Sequence, residues 1–380
     1  MKKYAYAGAL GLWSIITTEF GVIGVLPHIA SHYQISIDQA SWLLSGFALV
    51  IAFFGPFMTM LTAQIDKKKM MLIALALFTS TSFLSILLPS FGILMLLRLI
   101  PALLQPVYIA NALAVAVNTS PKEEASNRMS IVFSGITIAS FTTIPLATYW
   151  TNLVGLQAVF VIQTLISALA FIVIYFVLPP VAGNRTTLPV GIWGSLKQAS
   201  FMRSALVNLF VIAMWFSVYS YFADYLNKEK GMSGYEVSSM ILLFGVVGVV
   251  AMVIGGKILN KGVVFSNAFY VIGAGCIAIL LYVSGSNLFF TSSLIVLWSL
   301  FYTPVFLQVT AFLQRTTSIP FELVSSLSTS LGNLGIALGT FVGGKVIANY
   351  GMHYLPLVML GFAGISFVCI FWVASKNKSK

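Results

Sequence analysis

Apolar runs of about 20 residues recur along the whole chain and are separated by short polar connections. A run of this length can cross the hydrocarbon core of a bilayer as an α-helix, whereas the strands of a membrane barrel would show short alternating segments. The pattern predicts twelve membrane-spanning helices, at residues 6–27, 40–62, 70–90, 92–116, 129–151, 156–178, 203–224, 237–259, 264–283, 287–311, 324–348 and 353–375.

Lysine and arginine residues are concentrated in alternate connections between these runs. The termini and one set of connections hold sixteen of them, whereas the other set holds only Lys228, Lys230 and Lys345. Basic residues favour the cytoplasmic side of a membrane, so both termini and the central connection are predicted to be cytoplasmic. The asymmetry also supports twelve spans, because one missed span would exchange the two sides for every later connection.

The longest connection runs from Pro179 to Met202 and divides the chain into two halves of six spans each. The loops that follow the second and eighth spans, Leu61–Lys69 and Gly255–Gly262, are weakly similar and indicate an internal repeat. The predicted domains are an N-terminal six-helix bundle at residues 1–178, a cytoplasmic linker at 179–202 and a C-terminal six-helix bundle at 203–380.

Composition agrees with a membrane protein and excludes several other classes. The chain is 59% hydrophobic and only 8% charged, where a soluble domain carries about a quarter charged residues. The net charge of +11 comes from basic residues scattered through short loops, so nucleic acid is not an expected partner. No phosphate-binding loop and no histidine or cysteine cluster with metal-ligand spacing occurs in the sequence. We expect an all-α integral membrane protein that has no cofactor, is not an enzyme and works as a monomer.

Glu19 is the residue in the first span that calls most for an explanation. It is the only acidic residue before Asp38, and it lies late in an otherwise apolar segment. A carboxylate inside a bilayer or a buried core costs several kcal/mol unless it is protonated, paired or hydrated. One interpretation is a neutral, hydrogen-bonded acid that locks two helices together. We favour the other, a proton-binding carboxyl that faces a water-filled cavity.

Arg98 lies inside the fourth span, where an arginine is equally costly unless it faces water or a partner. Glu19 precedes the predicted outer end of the first span at Pro27 by eight residues, and Arg98 follows Phe91, at about the outer start of the fourth span, by seven. At 1.5 Å per residue, both lie roughly 10–12 Å below the outer surface. We therefore expect Glu19 and Arg98 to interact, directly or through water, and to take part together in proton coupling.

Four segments resemble one group of membrane transporters. The stretch Thr17–Pro27 resembles the start of the first helix in that group, and Leu96–Gln105 resembles a signature built on an intramembrane arginine. The segments Tyr219–Ala223 and Ser328–Gly339 resemble its seventh and eleventh helices. The chain thus resembles, from end to end, the sugar, nucleoside and multidrug efflux group of drug:proton antiporters in the major facilitator superfamily. This resemblance implies two six-helix bundles that give alternating access to a cavity near the membrane midplane.

The resemblance also implies residues that act in gating. Asp66, Lys67 and Lys69 match the acidic and basic positions of the superfamily signature between helices 2 and 3, although its leading glycine is absent. Pro145 matches the end of the helix 5 antiporter signature, in which Thr143 stands where a glycine is expected. The alternative for the charged residues is a solvated run that only sets topology.

The substrate site is expected to include other polar and aromatic residues within the spans. The candidates are Gln105, Tyr108, Asn111, Trp215, Tyr219, Phe222, Gln308 and Asn333. The first three are spaced by three residues on one face of helix 4, and a hydrogen-bonded seam between helices is the alternative. The three aromatic residues of helix 7 form one stripe, for which packing or lipid contact is the more usual role. Asp224, which departs from the group's pattern, is either a gate or a solvated acid.

The sequence therefore predicts a proton-coupled antiporter that exports small organic molecules, drugs or related amphipathic metabolites, across the cytoplasmic membrane. Its expected partners are the small-molecule substrate, protons and the lipid bilayer. Purine bases, nucleosides or sugars are alternative substrates. Two other functions stay open: a facilitator of the same fold in which Glu19 is only structural, and a membrane receptor or scaffold that transports nothing.

Overall fold

The computed structural model describes residues 2–35, 37–183, 197–317 and 319–377. Within these ranges the chain forms sixteen α-helices and no β-strand. The helices of the first half are α1 (Lys2–Phe20), α2 (Leu26–Tyr33), α3 (Ile37–Thr62), α4 (Lys67–Ser85), α5 (Phe91–Ala102), α6 (Gln105–Asn118), α7 (Ala125–Val154) and α8 (Gln157–Val177). Those of the second half are α9 (Ala199–Tyr219), α10 (Phe222–Lys228), α11 (Gly234–Leu259), α12 (Val263–Val283), α13 (Leu288–Tyr302), α14 (Val305–Thr316), α15 (Phe321–Tyr350) and α16 (Leu355–Asn377).

All twelve predicted spans fall on helical structure, and four of them are interrupted. The interrupted spans are the first (α1 and α2), the fourth (α5 and α6), the seventh (α9 and α10) and the tenth (α13 and α14). These are the first and fourth spans of each half, so the position of the breaks repeats. The sequence pattern predicted the spans but not the interruptions, because an apolar run looks the same on both sides of a break.

Within the described residues, nine helical segments are long and apolar enough to cross a membrane by length and composition. The helices α1 and α4 are not among them, and both begin with lysines. Since α1 contains nineteen residues, it is about 28 Å long, close to the thickness of the hydrocarbon core.

The breaks in the fourth and tenth spans occur just before or at a proline. Proline has no N–H group, and its ring collides with the carbonyl four residues earlier, so a continuous helix is disfavoured. Each proline packs against a glycine of an earlier long helix in its own half. A Cβ added to Gly55 would lie 2.7 Å from Pro106 Cγ, and one added to Gly255 would lie 2.5 Å from Pro304 Cβ. The same glycine–proline contact therefore occurs in both halves.

The described residues form two compact units. The first contains those within 1–189 and Pro320–Ser330, and the second contains those within 190–319 and Leu331–Lys380. Residues 184–196 of the predicted linker lie outside the described part of the chain. The predicted domain boundaries at residues 178 and 203 stay a prediction.

The first unit is organised around α1, which packs against α6, α7 and α8. Close approach to α7 requires Gly135, since an added Cβ would lie 2.3 Å from the carbonyl oxygen of Ala9. Beyond the end of α1, Val22 and Val25 are fully buried and belong to one apolar cluster with Phe160 of α8. Because this part of α1 is enclosed, its polar side chains Ser14, Thr17, Thr18 and Glu19 are buried inside the unit.

In the second unit, α9 occupies the position along the chain that α1 has in the first. It packs against α14 and α16. Gly339 of α15 approaches its backbone closely, because an added Cβ would lie 2.3 Å from the carbonyl oxygen of Ala213. Thus the first helix of each half, α1 or α9, is contacted by a glycine of the fifth span of that half, Gly135 in α7 or Gly339 in α15. This is further evidence of an internal repeat.

Lys230 is one of the three basic residues on the predicted outer side, and the fold gives it a structural role. Its side chain is buried in the connection between α10 and α11. The Nζ atom donates to the carbonyl and hydroxyl oxygens of Ser284, both at 2.7 Å, and to the Leu281 carbonyl at 3.2 Å, at the C-terminal end of α12. Burial lowers the pKa of Lys230, and the nearby Glu229 carboxylate acts in the opposite direction. Lys230 thus caps the C-terminal end of α12, and this structural role explains why a basic residue lies on the predicted outer side.

The predicted orientation can be tested by cysteine labelling of intact cells. In a Cys276→Ser, Cys369→Ser background, a membrane-impermeant maleimide should label Ser90→Cys and Ser286→Cys, which are exposed in predicted outer connections. It should miss Glu123→Cys and Lys261→Cys, which are exposed in predicted inner connections. Labelling of Glu123→Cys without permeabilising the cells would show that the orientation is wrong.

Candidate functional site

Glu19 is buried in the last turn of α1, with 7% of its side chain exposed. Its Oε2 atom accepts a hydrogen bond from Gln105 Nε2 at 2.7 Å. Gln105 is the first residue of α6, immediately after the break in the fourth span. The turn of Leu103 and Leu104, followed by Pro106, fixes where α6 begins. The interruption of the span therefore places the amide beside the carboxyl group.

Arg98 lies in α5 with 2% of its side chain exposed, and its guanidinium contacts the backbone of α1. Arg98 Nη2 donates to the carbonyl oxygens of Thr18 at 2.9 Å and Glu19 at 3.3 Å. Its Nε also donates to the Leu43 carbonyl at 3.5 Å, and the guanidinium lies 5.7 Å from the centre of the Phe47 ring. The last carbonyls of a helix lack partners in that helix and carry partial negative charge. Arg98 therefore caps the C-terminal end of α1.

The expected closeness of Glu19 and Arg98 is observed, but not as an ion pair. The guanidinium acts electrostatically on the Glu19 carboxyl, yet the hydrogen bonds that it donates go to carbonyl oxygens. Among the described residues, no basic nitrogen lies within 4.0 Å of the Glu19 carboxyl oxygens. The neutral Gln105 amide is thus the direct hydrogen-bond partner of the Glu19 side chain.

Sequence reasoning missed a buried polar seam on the other side of α1. Thr17 Oγ1 and Thr143 Oγ1 of α7 are 2.7 Å apart, and Ser14 Oγ donates to Ser167 Oγ of α8 at 2.9 Å. Gln163 of α8 is also buried here, with 1% of its side chain exposed. Thr143, which in the sequence only replaces an expected glycine, is therefore a hydrogen-bond partner. Polar residues at similar depths in three apolar runs were the available signal.

The three candidates of the fourth span, all in α6, have separate partners within the first unit. Gln105 contacts Glu19, Tyr108 Oη donates to the Gly8 carbonyl of α1 at 3.2 Å, and Asn111 Nδ2 donates to the Val107 carbonyl of its own helix at 2.9 Å. These contacts resemble the alternative interpretation, a hydrogen-bonded seam. A substrate role for Gln105, Tyr108 and Asn111 stays a prediction.

The aromatic stripe of the seventh span, in α9 and α10, packs against other aromatic side chains of the second unit. Tyr219 stacks on Tyr302 with ring centres 4.4 Å apart, and Trp215 meets Tyr302 edge-on at 5.6 Å. Phe222 meets Trp298 edge-on at 4.8 Å. Trp215 is fully buried and Phe222 nearly so, whereas Tyr219 is half-buried. The stripe contributes to the core of this unit, and a substrate role for the three residues stays a prediction.

The remaining polar candidates of the second unit are also buried. Gln308 Nε2 donates to the Gly255 carbonyl at 3.1 Å, and Gln308 Oε1 accepts a hydrogen bond from Ser266 Oγ. Its backbone carbonyl accepts from Asn267 Nδ2 at 3.2 Å. Asn333 lies in α15 with 8% of its side chain exposed. Gln308 therefore ties α11, α12 and α14 together near the break in the tenth span.

The residues expected to act in gating lie at helix ends or on the surface. Asp66 caps α4, since its Oδ1 accepts from the backbone N–H of Lys69 at 2.9 Å. Lys67 is buried, and its backbone N–H donates to the Val181 carbonyl at 2.8 Å. Lys69 is exposed.

The two other gating candidates are farther along the chain. Asp224 is exposed, and its Oδ2 lies 3.9 Å from Lys228 Nζ one helical turn later. Such an exposed pair contributes little to stability. Pro145 belongs to α7, but its side chain lies outside the described part of the structure.

Comparisons with known proteins identify the family. The profile of the Major Facilitator Superfamily matches residues 8–323, and the chain belongs to this superfamily. It is similar to the inner membrane transport protein YdhP of Escherichia coli strain K12, with 26% identity over 371 residues that cover 97% of this chain and 95% of the relative. It is also similar to the MFS-type transporter YtbD of Bacillus subtilis strain 168, with 26% identity over 355 residues, 90% of this chain and 88% of the relative.

A solved structure shows the same fold. The human organic anion transporter MFSD10 (TETRAN) matches with a TM-score of 0.81 at 14% identity, covering 97% of this chain and 99% of that one. The prediction of an all-α integral membrane protein of this superfamily is thereby confirmed. The chain is a membrane transport protein of the superfamily.

Replacing Arg98 tests its role as the cap of α1. Arg98→Met keeps an unbranched side chain but leaves the Thr18 and Glu19 carbonyls without their donor, so the protein should lose about 2 kcal/mol of stability. The melting temperature of the purified protein in detergent measures this loss. Arg203→Met is the control, because Arg203 is half-buried and its Nε donates to the Ala199 carbonyl of its own helix. Equal melting temperatures for Arg98→Met and the unmodified protein would contradict the capping role.

Proposed function

We propose that this transporter exports small, at least partly apolar organic molecules in exchange for protons. It works as a monomer in the cell membrane, with both termini in the cytoplasm. Transporters of this superfamily move substrates by alternating access, in which the substrate site opens to one side of the membrane at a time. The inward proton gradient supplies the free energy for uphill export.

The environment of Glu19 carries this proposal. The acid is buried in a membrane-spanning helix, and its side chain is hydrogen-bonded to a neutral amide rather than to a cation. The nearest guanidinium, that of Arg98, donates to backbone carbonyls. A buried carboxylate without a paired cation bears a large desolvation cost, and binding a proton removes that cost. A group of this kind can take up and release one proton as its surroundings change.

The position of Glu19 allows proton binding to influence the conformation of the protein. The carboxyl group lies where α1 ends and α6 begins, so its charge acts on the termini of two interrupted spans. A negative charge is favourable near the N-terminal end of a helix and unfavourable near a C-terminal end. Gaining or losing the proton changes both interactions at once. Conformations that place these termini differently then differ in proton affinity, which is what coupling requires.

The substrate class rests on resemblance and composition. Drugs and related amphipathic metabolites fit the efflux group that the sequence resembles, with purine bases, nucleosides and sugars as the alternatives. The names of YdhP and YtbD identify transporters without naming a cargo.

A second candidate function is a facilitator of the same fold without proton coupling. The bond from Gln105 to Glu19 supports it, because a permanently protonated acid that locks α1 to α6 would also contact this amide. Glu19→Gln separates the two functions, since glutamine keeps the size and much of the hydrogen bonding but cannot change charge.

In proteoliposomes, Glu19→Gln should bind substrate and exchange it down its gradient but lose uphill transport driven by a pH gradient. The pH dependence of substrate affinity should disappear as well. Glu123→Gln, an exposed acid in a loop, is the matched control and should behave like the unmodified protein. Full uphill transport by Glu19→Gln would remove the proposed role. If Glu19 were instead a structural ion-pair partner, the variant would lose roughly 3–5 kcal/mol of stability, visible as a lower melting temperature.

A further inference from the structure

Gln105 is suited to hold Glu19 in both of its protonation states. We propose that it is a positioning residue that keeps the Glu19 carboxyl hydrogen-bonded throughout the proton cycle by exchanging the two ends of its amide. This inference rests on the proposed function, because it requires that Glu19 gain and lose a proton. It also gives Gln105 a role different from the substrate contact that the sequence suggested.

The geometry shows one half of this cycle. Gln105 Nε2 donates to Glu19 Oε2 at 2.7 Å, which is the bond expected for a carboxylate, a group that only accepts. The other end of the amide, Gln105 Oε1, is buried and has no hydrogen-bond partner in the described part of the chain. A buried acceptor without a partner is uncommon and destabilising, so its presence beside a titratable acid calls for a reason.

Protonation gives that idle acceptor a partner. A proton arriving from water bonds to a carboxyl oxygen of Glu19, which becomes an O–H donor. The protonated oxygen is a weaker acceptor for the Nε2 end, whereas the Oε1 end can accept from the new O–H group. The terminal torsion of glutamine is broad and roughly two-fold, so a half-turn exchanges the two ends with little strain. When the proton leaves, the reverse half-turn restores the bond seen here.

Two other buried nitrogens on the neighbouring elements, Arg98 Nη1 on α5 and Gln163 Nε2 on α8, have no hydrogen-bond partner in the described part of the chain. Both are N–H donors, so neither can accept a hydrogen bond from a protonated Glu19. Among the described residues, Arg98 on α5 is the charged group that acts on Glu19, and its Nη2 is engaged by the carbonyls of α1. α7 and α8 present neutral side chains to this part of α1, with Thr143 bonded to Thr17 and Gln163 lying near Gly21. Gln105 is therefore the side chain that can answer a change of charge on the Glu19 carboxyl.

The reach of the side chain matters as much as its chemistry. The break before Pro106 fixes the backbone of Gln105, so the amide meets the carboxyl only because the side chain has the right length. Asparagine has the same two ends but is shorter by one carbon–carbon bond, about 1.5 Å. Methionine has nearly the length of glutamine but no strong donor or acceptor. The two substitutions therefore remove the contact in different ways.

The experiment compares Gln105→Met and Gln105→Asn with the unmodified protein in proteoliposomes. The first readout is the pH at which substrate export is half-maximal. The second is the infrared difference spectrum between high and low pH, in which a protonated buried glutamate gives a carboxylic-acid C=O band. Gln163→Met is the matched control, because it removes an equally buried glutamine of the same unit that does not contact Glu19. Melting temperatures identify any variant that fails to fold.

Both Gln105 variants should move the export midpoint to higher pH, by about one pH unit. Bonds to a charged group are stronger than bonds to a neutral one, so losing the amide disfavours the carboxylate more than the acid. The C=O band should move to higher wavenumber, as expected for an acid that has lost its acceptor. Gln163→Met should change neither readout.

The outcomes separate this inference from the proposed function. If the band appears in the unmodified protein and vanishes in Glu19→Gln, proton binding at Glu19 stands. If the band and the midpoint are then the same in Gln105→Met, Gln105→Asn and the unmodified protein, the positioning role is wrong. If the unmodified protein has no such band and its export is independent of pH, the proposed function fails and this inference fails with it. Should Gln105→Met not fold, the folded Gln105→Asn decides the matter alone.

Discussion

A helix that is interrupted inside a membrane frees backbone groups that water cannot reach, and this constraint organises the candidate site. Each freed group must find a partner within the protein. The end of α1 exposes the carbonyls of Thr18 and Glu19, and the buried Arg98 donates to both. Arg98 is consequently engaged by the backbone and forms no ion pair with the Glu19 carboxyl. The way in which the break in the first span is satisfied thus directs the Arg98 guanidinium to the backbone rather than to the Glu19 carboxyl.

The tenth span, in the second half, repeats the proline break of the fourth span, but no acid contacts its glutamine among the described residues. Pro304 packs on Gly255 as Pro106 packs on Gly55, and a glutamine follows the break in both halves. Gln308, however, donates to the Gly255 carbonyl and accepts from Ser266, so both ends of its amide are engaged. Gln105 donates to Glu19 and has an idle acceptor. The repeat supplies this proline break twice, whereas, among the described residues, the glutamine beside it contacts a carboxyl group only in the first half.

The two units also differ in what fills their interiors. α1 of the first unit meets its neighbours through hydroxyl and amide groups, such as the pair of Thr17 and Thr143. α9 of the second unit shares a hydroxyl pair with α14, Ser204 with Thr316, and in addition meets aromatic rings, such as the stack of Tyr219 on Tyr302. Hydrogen bonds have fixed partners and directions, while aromatic packing is governed more by area and shape. The candidate proton site lies in the first unit.

The sequence by itself determined the number and type of the spans. It also indicated that an acid, Glu19, and an arginine, Arg98, lie within spans at a common depth. Those features follow from local composition, because a membrane admits long apolar helices and penalises each exposed charge. Only the tertiary structure decided that Arg98 bonds the backbone of α1, that Gln105 rather than Arg98 contacts the Glu19 carboxyl, and that Thr143 has Thr17 as its partner. Such pairings join residues that are far apart in the chain, so no local pattern encodes them. They depend on where interrupted helices end and on which side chains then reach the groups left without partners.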